Sequence, residues 1–310
     1  MQRMCYSAQI IAGWRKYVRK VDARISIEDF RDLIWLAERD KKVKVPRAID
    51  LAFVGPQDDA ERELWAAIDK YRGAQVSEFE QELFKQRKRL ADAERELQAK
   101  ATKKATESRR IAGDKVEWLL GKLADLKRTE PKGRDARIFP GWYVPVIVVE
   151  GGQRVVKPMR YQCRPAGKPA FYDTKYPGTY NARRDNLEGF WKGQFGHTHG
   201  VMVAERFFEN VQRDGKNVVL EFTPNSGEPM LVACLWSRWT APGESDLLSF
   251  AAITDEPPPE VAAAGHDRCI IPIKPEHLDA WLSPERADKG AMYAILDDRE
   301  RPYYEHRLAA

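Results

Sequence analysis

Alternation of apolar and polar positions dominates the chain after residue 140. The apolar run WYVPVIVV at 142–149 is followed by the turn EGGQ at 150–153 and by RVVKPMRY, an order that predicts a β-hairpin. Similar runs between Gly, Asn and Pro turns predict strands at 201–211, 217–224, 230–239, 247–254 and 269–273, and a short helix at 275–282. We therefore expect a mainly antiparallel β core in this half of the chain.

Between residues 58 and 127 the pattern is helical. This segment holds no proline and is rich in Ala, Glu, Lys, Arg, Leu and Gln, which are strong helix formers. Leu83, Leu90 and Leu97 recur every seven residues, and Thr, Ser and Gly cluster at 102–113. The pattern predicts one or two long helices, with 102–113 as the break of a hairpin. An acidic first part and a basic second part favour an antiparallel pair, although a solvated charged helix explains them equally well.

These patterns together predict an α+β chain in three parts. Residues 1–56 and 137–310 are expected to form the N-terminal and main parts of one β-rich domain. Residues 57–136 are expected to form a long charged helical, coiled-coil insertion between them. Within the first part, Ser26 of the segment SIEDF is expected to cap a helix.

Composition limits the class of protein. The 310 residues are 43% hydrophobic and 32% charged, which is enough apolar material for a core. The sequence has no run of about 18 uncharged apolar residues, which excludes a membrane-spanning helix. Four cysteines, at 5, 163, 234 and 269, lack zinc-ligand spacing, and the histidines of GHTHG at 196–200 have no carboxylate or cysteine beside them. We expect a reduced cytoplasmic protein without a metal site or cofactor.

Charge is unevenly distributed along the chain. The net charge is +5, yet residues 85–137 hold 17 Lys and Arg against 9 Asp and Glu. A segment of +8 therefore lies in a chain that elsewhere sums to −3. This basic helical insertion either contacts DNA or a protein partner, or is a spacer with a solvated surface.

Cys5 is the first candidate for chemistry. An internal cysteine is usually a small core hydrophobe. As the first residue of a chain, however, it would carry an α-amine that titrates near pH ~8 beside its thiol. Such an amine can attack an aldehyde to give an imine, and the thiol can then close a five-membered thiazolidine ring.

Three polar residues further along the chain are the other candidates. Asn181 lies in the polar segment YNARR, which alone reads as a loop. Glu209 shares a strand face with Phe207 and Val211, so its carboxylate is either paired structurally or used in acid–base catalysis. His266 follows a turn-rich stretch, and a lone histidine is more often structural than catalytic.

Eight segments join these candidates in a fixed order. They are MCYS at 4–7, FPGWYVPVIVV at 139–149, PMRY at 158–161, YNARRDN at 180–186, RFFENV at 206–211, LVACLWSRW at 231–239, FAAIT at 250–254 and HDRCIIPI at 266–273. As an ordered set they resemble the SOS response-associated peptidase (SRAP) family, which includes abasic-site DNA–protein crosslinkers. The resemblance is loose over residues 4–56 and good over 137–283, with 28 residues from Asn181 to Glu209 and 57 from Glu209 to His266.

The resemblance implies a barrel-like antiparallel sheet and a covalent crosslink to abasic sites in single-stranded DNA, within the SOS response to DNA damage. The Cys5 amine and thiol would form a thiazolidine with the sugar aldehyde. Glu209 would shuttle protons, His266 would bind the sugar hydroxyl or move a proton, and Asn181 would position the amine. DNA backbone contacts are implied for Arg160, Arg183, Arg184 and Thr254. The protein would be cytoplasmic and would join the nucleoid when bound to DNA.

Departures from the family pattern occur at residues 160–163, 209–210 and 266–270 as well as at the N-terminus, and the N-terminal one decides activity. The usual Cys-Gly-Arg is Cys-Tyr-Ser here, and the residues MQRM precede Cys5. A start at Met4 would expose Cys5 by ordinary methionine removal, whereas a start at Met1 requires cleavage between Met4 and Cys5. Two alternatives stay open: a self-processing thiol peptidase that forms no DNA adduct, and a noncatalytic nucleic-acid-binding protein that uses the basic insertion.

Overall fold

The structure is a computed structural model that describes residues 7–213, 215–284 and 288–309. Its internal contacts group the described residues into two compact units, one formed by the chain up to Pro56 together with the chain from Pro131, the other by Gln57–Glu130. No helix in the described part of the chain is both long enough and apolar enough to cross a membrane. The assignment of residues 57–136 as an insertion stays a prediction.

The first unit contains all the strands found in the described residues. They are β1 (Ser7–Ile10), β2 (Arg24–Ile25), β3 (Arg137–Ile138), β4 (Tyr143–Glu150), β5 (Gln153–Tyr161), β6 (Asn181–Arg183), β7 (His199–Arg213), β8 (Lys216–Pro224), β9 (Met230–Trp239), β10 (Leu247–Asp255), β11 (Cys269–Ile270), β12 (Pro272–Ile273) and β13 (Tyr304–Leu308). Helices are assigned in both units: α1 (Trp14–Lys20), α2 (Ile27–Arg39), α3 (Arg47–Leu51), α4 (Asp59–Ala99), α5 (Lys103–Lys127), α6 (Tyr172–Lys175), α7 (Pro259–Ala263), α8 (Leu278–Leu282) and α9 (Lys289–Asp297). This mixed composition with a large, mostly antiparallel sheet confirms the predicted α+β class.

The sheet closes on itself. Its strands run β12-β9-β10-β5-β4-β7-β1-β3, and β7 also pairs with β9, so β9, β10, β5, β4 and β7 form a ring. Most pairs are antiparallel, while β5 and β6 both run parallel to β10. Apolar side chains on the inner faces of these strands form one buried cluster, which includes Val146, Met159, Phe207, Val232 and Phe250.

Strand β7 joins this ring to the rest of the sheet. Its first residues pair with β4 and β9, and its last residues pair with β8 from Phe207 to Arg213. On the other edge, β1 pairs with β7 so that Ser7 lies opposite Phe208. The middle of β7 is therefore held by hydrogen-bonded strands on both sides.

The predicted strands agree closely with those observed; β9, for example, was predicted at 230–239 and spans those residues. Ser26 is the N-cap residue of α2, as predicted, although its hydroxyl donates to Asp29 at 2.5 Å rather than capping a backbone N–H. The break of the helical segment lies before the predicted 102–113, because the Thr102 side chain caps α5 by accepting from the backbone N–H of Ala105 at 3.1 Å. Gly113 is accommodated inside α5.

The second unit is a helical hairpin. Helix α4 starts at a cap in which the Asp58 side chain accepts from the backbone N–H of Glu61 at 2.8 Å. The α4–α5 seam is apolar and buries Leu83 against Leu119 and Leu123. Towards the turn, the buried residues of the two helices are alanines: Ala93, Ala105 and Ala112. The expected antiparallel pair, rather than a single solvated helix, is thus what forms.

Candidate functional site

Glu209 and His266 form a buried pair. Glu209 lies on β7 between Phe207 and Val211, which both belong to the main buried cluster, and it is 0% exposed. His266 approaches from the loop between α7 and β11, and its Nε2 lies 2.9 Å from Oε2 of Glu209. The loop turns at Gly265, whose φ of +100° is in the region that favours glycine. The apolar neighbours of Glu209 in the sequence therefore do indicate a buried carboxylate, and this carboxylate has His266 as its partner.

The partners of His266 favour its charged form. Burial alone lowers the pKa of His266, but the hydrogen bond and the negative charge of Glu209 outweigh it, and the pKa is raised above 6.5. The other ring nitrogen, Nδ1, lies 2.9 Å from the carbonyl oxygen of Arg268. An imidazolium 2.9 Å from a carboxylate is an arrangement that can hold and transfer a proton inside an apolar environment.

Asn181 borders the same buried cluster. It begins β6, pairs with Ala252 of β10 and is 4% exposed. The Tyr161 hydroxyl donates to Oδ1 of Asn181 at 3.4 Å. Tyr161 itself is a member of the cluster and stacks on Phe250 with ring centroids 5.2 Å apart. The side-chain amide of Asn181 is therefore positioned by the pairing of β6 with β10 and by the hydroxyl of Tyr161.

Thr254 is also buried, at 1% exposure, opposite Ile270 and Arg183 on its two neighbouring strands. The Thr254 side chain therefore lies inside the folded unit. Its expected contact with a DNA backbone is not tested by this observation and stays a prediction.

The cysteines of the described chain are poor nucleophiles. Cys163, Cys234 and Cys269 are all buried. Burial raises the pKa of Cys163 to about 12 and raises those of Cys234 and Cys269 further, so none has a ready thiolate. Cys5, the predicted nucleophile, lies outside the described residues.

Each arginine predicted to bind DNA is engaged within the chain. Arg160 pairs with Asp173 at 2.8 Å and also donates to the Gln162 carbonyl. Arg183 pairs with Asp185 through Nε at 2.9 Å and is the most exposed of the three, at 45% of its side chain. Arg184 pairs with Asp255 at 3.2 Å and with Asp297. Binding a phosphate at these positions would require each arginine to break its ion pair with a carboxylate. This costs least free energy at Arg183, because its ion pair with Asp185 is exposed to solvent.

Two residues near the site were missed by the sequence analysis. Arg137 places its guanidinium 3.9 Å from the ring centre of Phe208, the residue before Glu209, and lies 3.4 Å from the Ser7 hydroxyl. Tyr161 was seen only as part of a motif. Their positions in the sequence could have indicated them: Tyr161 ends the PMRY segment, and Arg137 lies two residues before the FPGWYVPVIVV segment.

The GHTHG segment supplies a core histidine. His199 is 2% exposed, donates from Nδ1 to the Trp281 carbonyl at 3.0 Å and accepts at Nε2 from the backbone N–H of Gly196 at 2.8 Å. Burial lowers its pKa to about 3, although the Trp281 hydrogen bond acts the other way. Within the described residues, no group of three His, Cys, Asp or Glu side chains is placed to hold a metal ion.

Three solved structures are similar to part of this chain. One is a protein from Bordetella bronchiseptica, 20% identical, with a TM-score of 0.48 over 56% of this chain and 87% of that one. A protein from Bacteroides thetaiotaomicron is 13% identical, with a TM-score of 0.49 over 56% and 78% of the two chains. A phage-related protein from Bordetella bronchiseptica is 17% identical, with a TM-score of 0.44 over 59% and 85%. A comparison with curated protein sequences finds no match.

The family comparison is more informative. The sequence model described as "SOS response associated peptidase (SRAP)" matches residues 95–308. This match includes Asn181, Glu209 and His266, and it covers more than two thirds of the chain. The chain therefore belongs to the SOS response-associated peptidase family, which supports a peptidase-like function associated with the SOS response and with DNA.

Proposed function

We propose that the protein forms a covalent thiazolidine crosslink with abasic sites in single-stranded DNA through Cys5, after residues 1–4 are removed. The observation that carries the proposal is the buried Glu209–His266 pair in a chain of this family. The register of β1 adds support. Ser7 lies opposite Phe208, one residue from Glu209, and two peptide units from Ser7 to Cys5 span at most about 7 Å.

The reaction joins one aldehyde to one amine and one thiol and releases one water. The neutral Cys5 α-amine attacks the aldehyde carbon of the open-chain sugar, and a proton passes from nitrogen to oxygen to give a carbinolamine. Loss of its hydroxyl as water leaves an imine. The Cys5 sulfur then adds to the imine carbon while the thiol proton passes to the nitrogen, which closes the ring.

Glu209 is the group that moves protons in this scheme. It takes a proton from the ammonium form of the amine and returns it to the departing hydroxyl of the carbinolamine. The ring nitrogens of His266 lie against the Arg268 carbonyl and Glu209, so His266 either moves a proton during ring closure or, by turning Nε2 away from Glu209, donates a hydrogen bond to a sugar hydroxyl. Asn181 orients the amine through its amide.

DNA is held by contacts that do not depend on sequence. Arg183 is best placed to bind a flanking phosphate because its side chain is the most exposed of the predicted arginines. Arg160 and Arg184 would join Arg183 only on leaving their carboxylate partners, and Thr254, at 1% exposure, only if the DNA displaced the residues that cover it. An aldehyde and a phosphate backbone carry no base code, so no sequence preference is expected.

The test uses protein that begins at Cys5 and a single-stranded oligonucleotide with one abasic site. A heat-resistant adduct is expected, and Cys5→Ala is expected to abolish it. Glu209→Gln is expected to slow its formation by about 100-fold or more. The matched control is Glu205→Gln on the same strand, whose carboxylate accepts from Gln9 at 3.1 Å and is partly exposed. An unchanged adduct yield in Cys5→Ala would refute the mechanism.

Self-cleavage between Met4 and Cys5 is a second proposed activity, favoured by the description of the family as a peptidase. The expected result is a chain that starts at Cys5, seen by intact-mass measurement after expression from Met1. His266→Asn is expected to leave the longer chain, whereas His197→Asn, at an exposed histidine, is expected to be processed normally. Processing of both variants at the same rate would refute a role of His266 in removing the leader.

A further inference from the structure

The helical hairpin of the second unit has its charge divided along its length. Residues 83–115, here called the turn-end half, hold 11 Lys and Arg against 5 Asp and Glu, a net charge of +6. Residues 57–82 and 116–130 hold 6 against 11, a net charge of −5. The hairpin as a whole is therefore nearly neutral, but its positive charge is concentrated in the turn-end half, which is about 25 Å long.

Most of the turn-end cations are not neutralised within the described chain. Two of them do form ion pairs: Arg95 with Asp92 at 2.6 Å, and Arg110 with Glu107 and Asp114. The other nine form no ion pair among the described residues, and all except the last are exposed: Lys85, Arg87, Lys88, Arg89, Lys100, Lys103, Lys104, Arg109 and Lys115. Only two acidic side chains of this half, Glu94 and Glu96, remain outside such pairs.

Four of these cations line one groove. A cavity of about 360 Å³ between α4 and α5 is bordered by Lys85, Lys88, Arg89 and Lys104, and also by two carboxylates, Glu96 and the Asp92 that pairs with Arg95, so its lining stays net positive. Arg89 is fixed there because its Nε donates to the Ser108 hydroxyl at 3.0 Å. Positions three and four apart lie about 5–6 Å from each other on a helix, so the groove presents a row of closely spaced positive charges.

An exposed aromatic ring lies beside this row. Phe84 is 73% exposed in the middle of a regular helix, and Arg87 and Lys88 follow it at i+3 and i+4. It borders a second hollow with Lys85. An exposed phenylalanine next to unpaired cations is a combination suited to single-stranded nucleic acid, since bases stack on the ring while the cations hold phosphates.

We infer that the turn-end half of the hairpin binds single-stranded DNA noncovalently and without sequence preference, as a second contact surface separate from the Glu209–His266 site. The inference goes beyond the proposed crosslinking reaction and does not depend on it, because intact DNA has no aldehyde to react.

The experiment measures binding of a 20-nucleotide oligothymidine without abasic sites to the full chain, by fluorescence anisotropy between 50 and 200 mM salt. The triple variant Lys85→Gln, Lys88→Gln, Lys104→Gln removes three groove cations. The matched control is Lys16→Gln, Lys20→Gln, Lys42→Gln, which removes three exposed cations of the first unit. Each set lowers the net charge by the same amount, and far-ultraviolet circular dichroism verifies that helix content is unchanged.

For single strands, each phosphate contact adds about 0.7 to the slope of log affinity against log salt. The groove variant is therefore expected to have a slope shallower by about 2, so that its affinity falls about 20-fold less than that of the parent over this salt range. The control is expected to keep the parent slope. Equal slopes in all three proteins would overturn the inference.

Phe84→Ala separates stacking from charge. It is expected to weaken oligothymidine binding by about fivefold or more with no change in the salt slope, and to leave binding of a 20-base-pair duplex unchanged. The comparison variant is Leu120→Ala, an exposed apolar side chain of α5 outside the turn-end half. An equal loss on the duplex, or no loss on the single strand, would overturn the assignment to single-stranded DNA.

Discussion

The buried imidazole of His199 makes the stability of the first unit depend on pH in a direction that can be calculated. Its ring is neutral in the fold because Nε2 accepts from Gly196 and Nδ1 donates to Trp281. Burial lowers the pKa of His199 from 6.5 to about 3. Between those two values the unfolded chain binds a proton at this residue that the folded chain does not, so stability falls as the pH falls below 6.5.

The magnitude follows from the width of that window. At pH 5.0 the unfolded imidazole is charged and the folded one is not, and 1.5 pH units at 1.36 kcal/mol each give a loss of about 2 kcal/mol relative to pH 7.5. His266 acts in the opposite direction. Its pKa is raised, so its contribution is fully present below 6.5 and is lost as the pH rises through its folded pKa.

A variant comparison separates the two histidines. Urea unfolding at pH 7.5 and 5.0, followed by tryptophan fluorescence, is measured for the parent and for His199→Gln, which leaves His266 unchanged. The parent is expected to lose about 2 kcal/mol more than the variant between the two pH values. His197→Gln, two residues away and exposed, is expected to lose as much as the parent.

Equal pH dependence in the parent and in His199→Gln would refute the reasoning. Should the variant not fold, the ring nitrogens of the parent give a second readout by nuclear magnetic resonance. The His199 nitrogen shifts are expected to stay those of the neutral ring down to pH 4, and a transition above pH 5 would contradict the buried neutral state.

Three further predictions concern packing, pairing and the turn at the site. Leu119→Ala is expected to destabilise the hairpin by about 2–5 kcal/mol, because Leu119 is 1% exposed. The control Leu120→Ala is expected to lower stability by less than about 0.5 kcal/mol, because Leu120 is 42% exposed. Thermal melting followed by circular dichroism measures both variants. Asp173→Asn is expected to lower the free energy of unfolding in urea by about 1.5–3 kcal/mol, since Arg160 and Arg164 both donate hydrogen bonds to that carboxylate. The control Asp185→Asn, which removes the carboxylate of an exposed ion pair, is expected to lower it little. Similar losses in both variants would contradict the expectation that the Asp173 ion pairs stabilise the fold more. Gly265→Ala is expected to lower crosslinking and stability together, by about 1–3 kcal/mol in unfolding, because its φ is +100°; a variant as stable and active as the parent would show that the turn is unstrained.

Much of the sheet could be predicted because its strands are apolar and bounded by turn residues. β4, β9 and β10 follow this rule, and their bounds differ from the prediction by at most one residue. β13 escaped prediction because only Tyr304 of its five residues is buried. It is an edge strand whose sequence carries no apolar period.

The site was only partly predictable, for a different reason. A carboxylate between Phe207 and Val211 is visible in the sequence, but its partner depends on the turn at Gly265 and on how α7 packs. The roles of the arginines could not be separated by sequence either. Arg160 is held by Asp173, which lies 13 residues away, and only the fold decides which carboxylate each guanidinium reaches.

Strand β7 explains why the candidate catalytic carboxylate is rigid. Phe207 and Val211 anchor the strand in the buried cluster, while β1 and β8 pair with its two edges. Glu209 therefore cannot leave its position to find water, and an ionised carboxylate there requires a positive partner. His266 supplies that partner at 2.9 Å. A proton delivered to Glu209 by an incoming ammonium would weaken this pair, so substrate chemistry and the protonation of His266 are coupled through a single short contact.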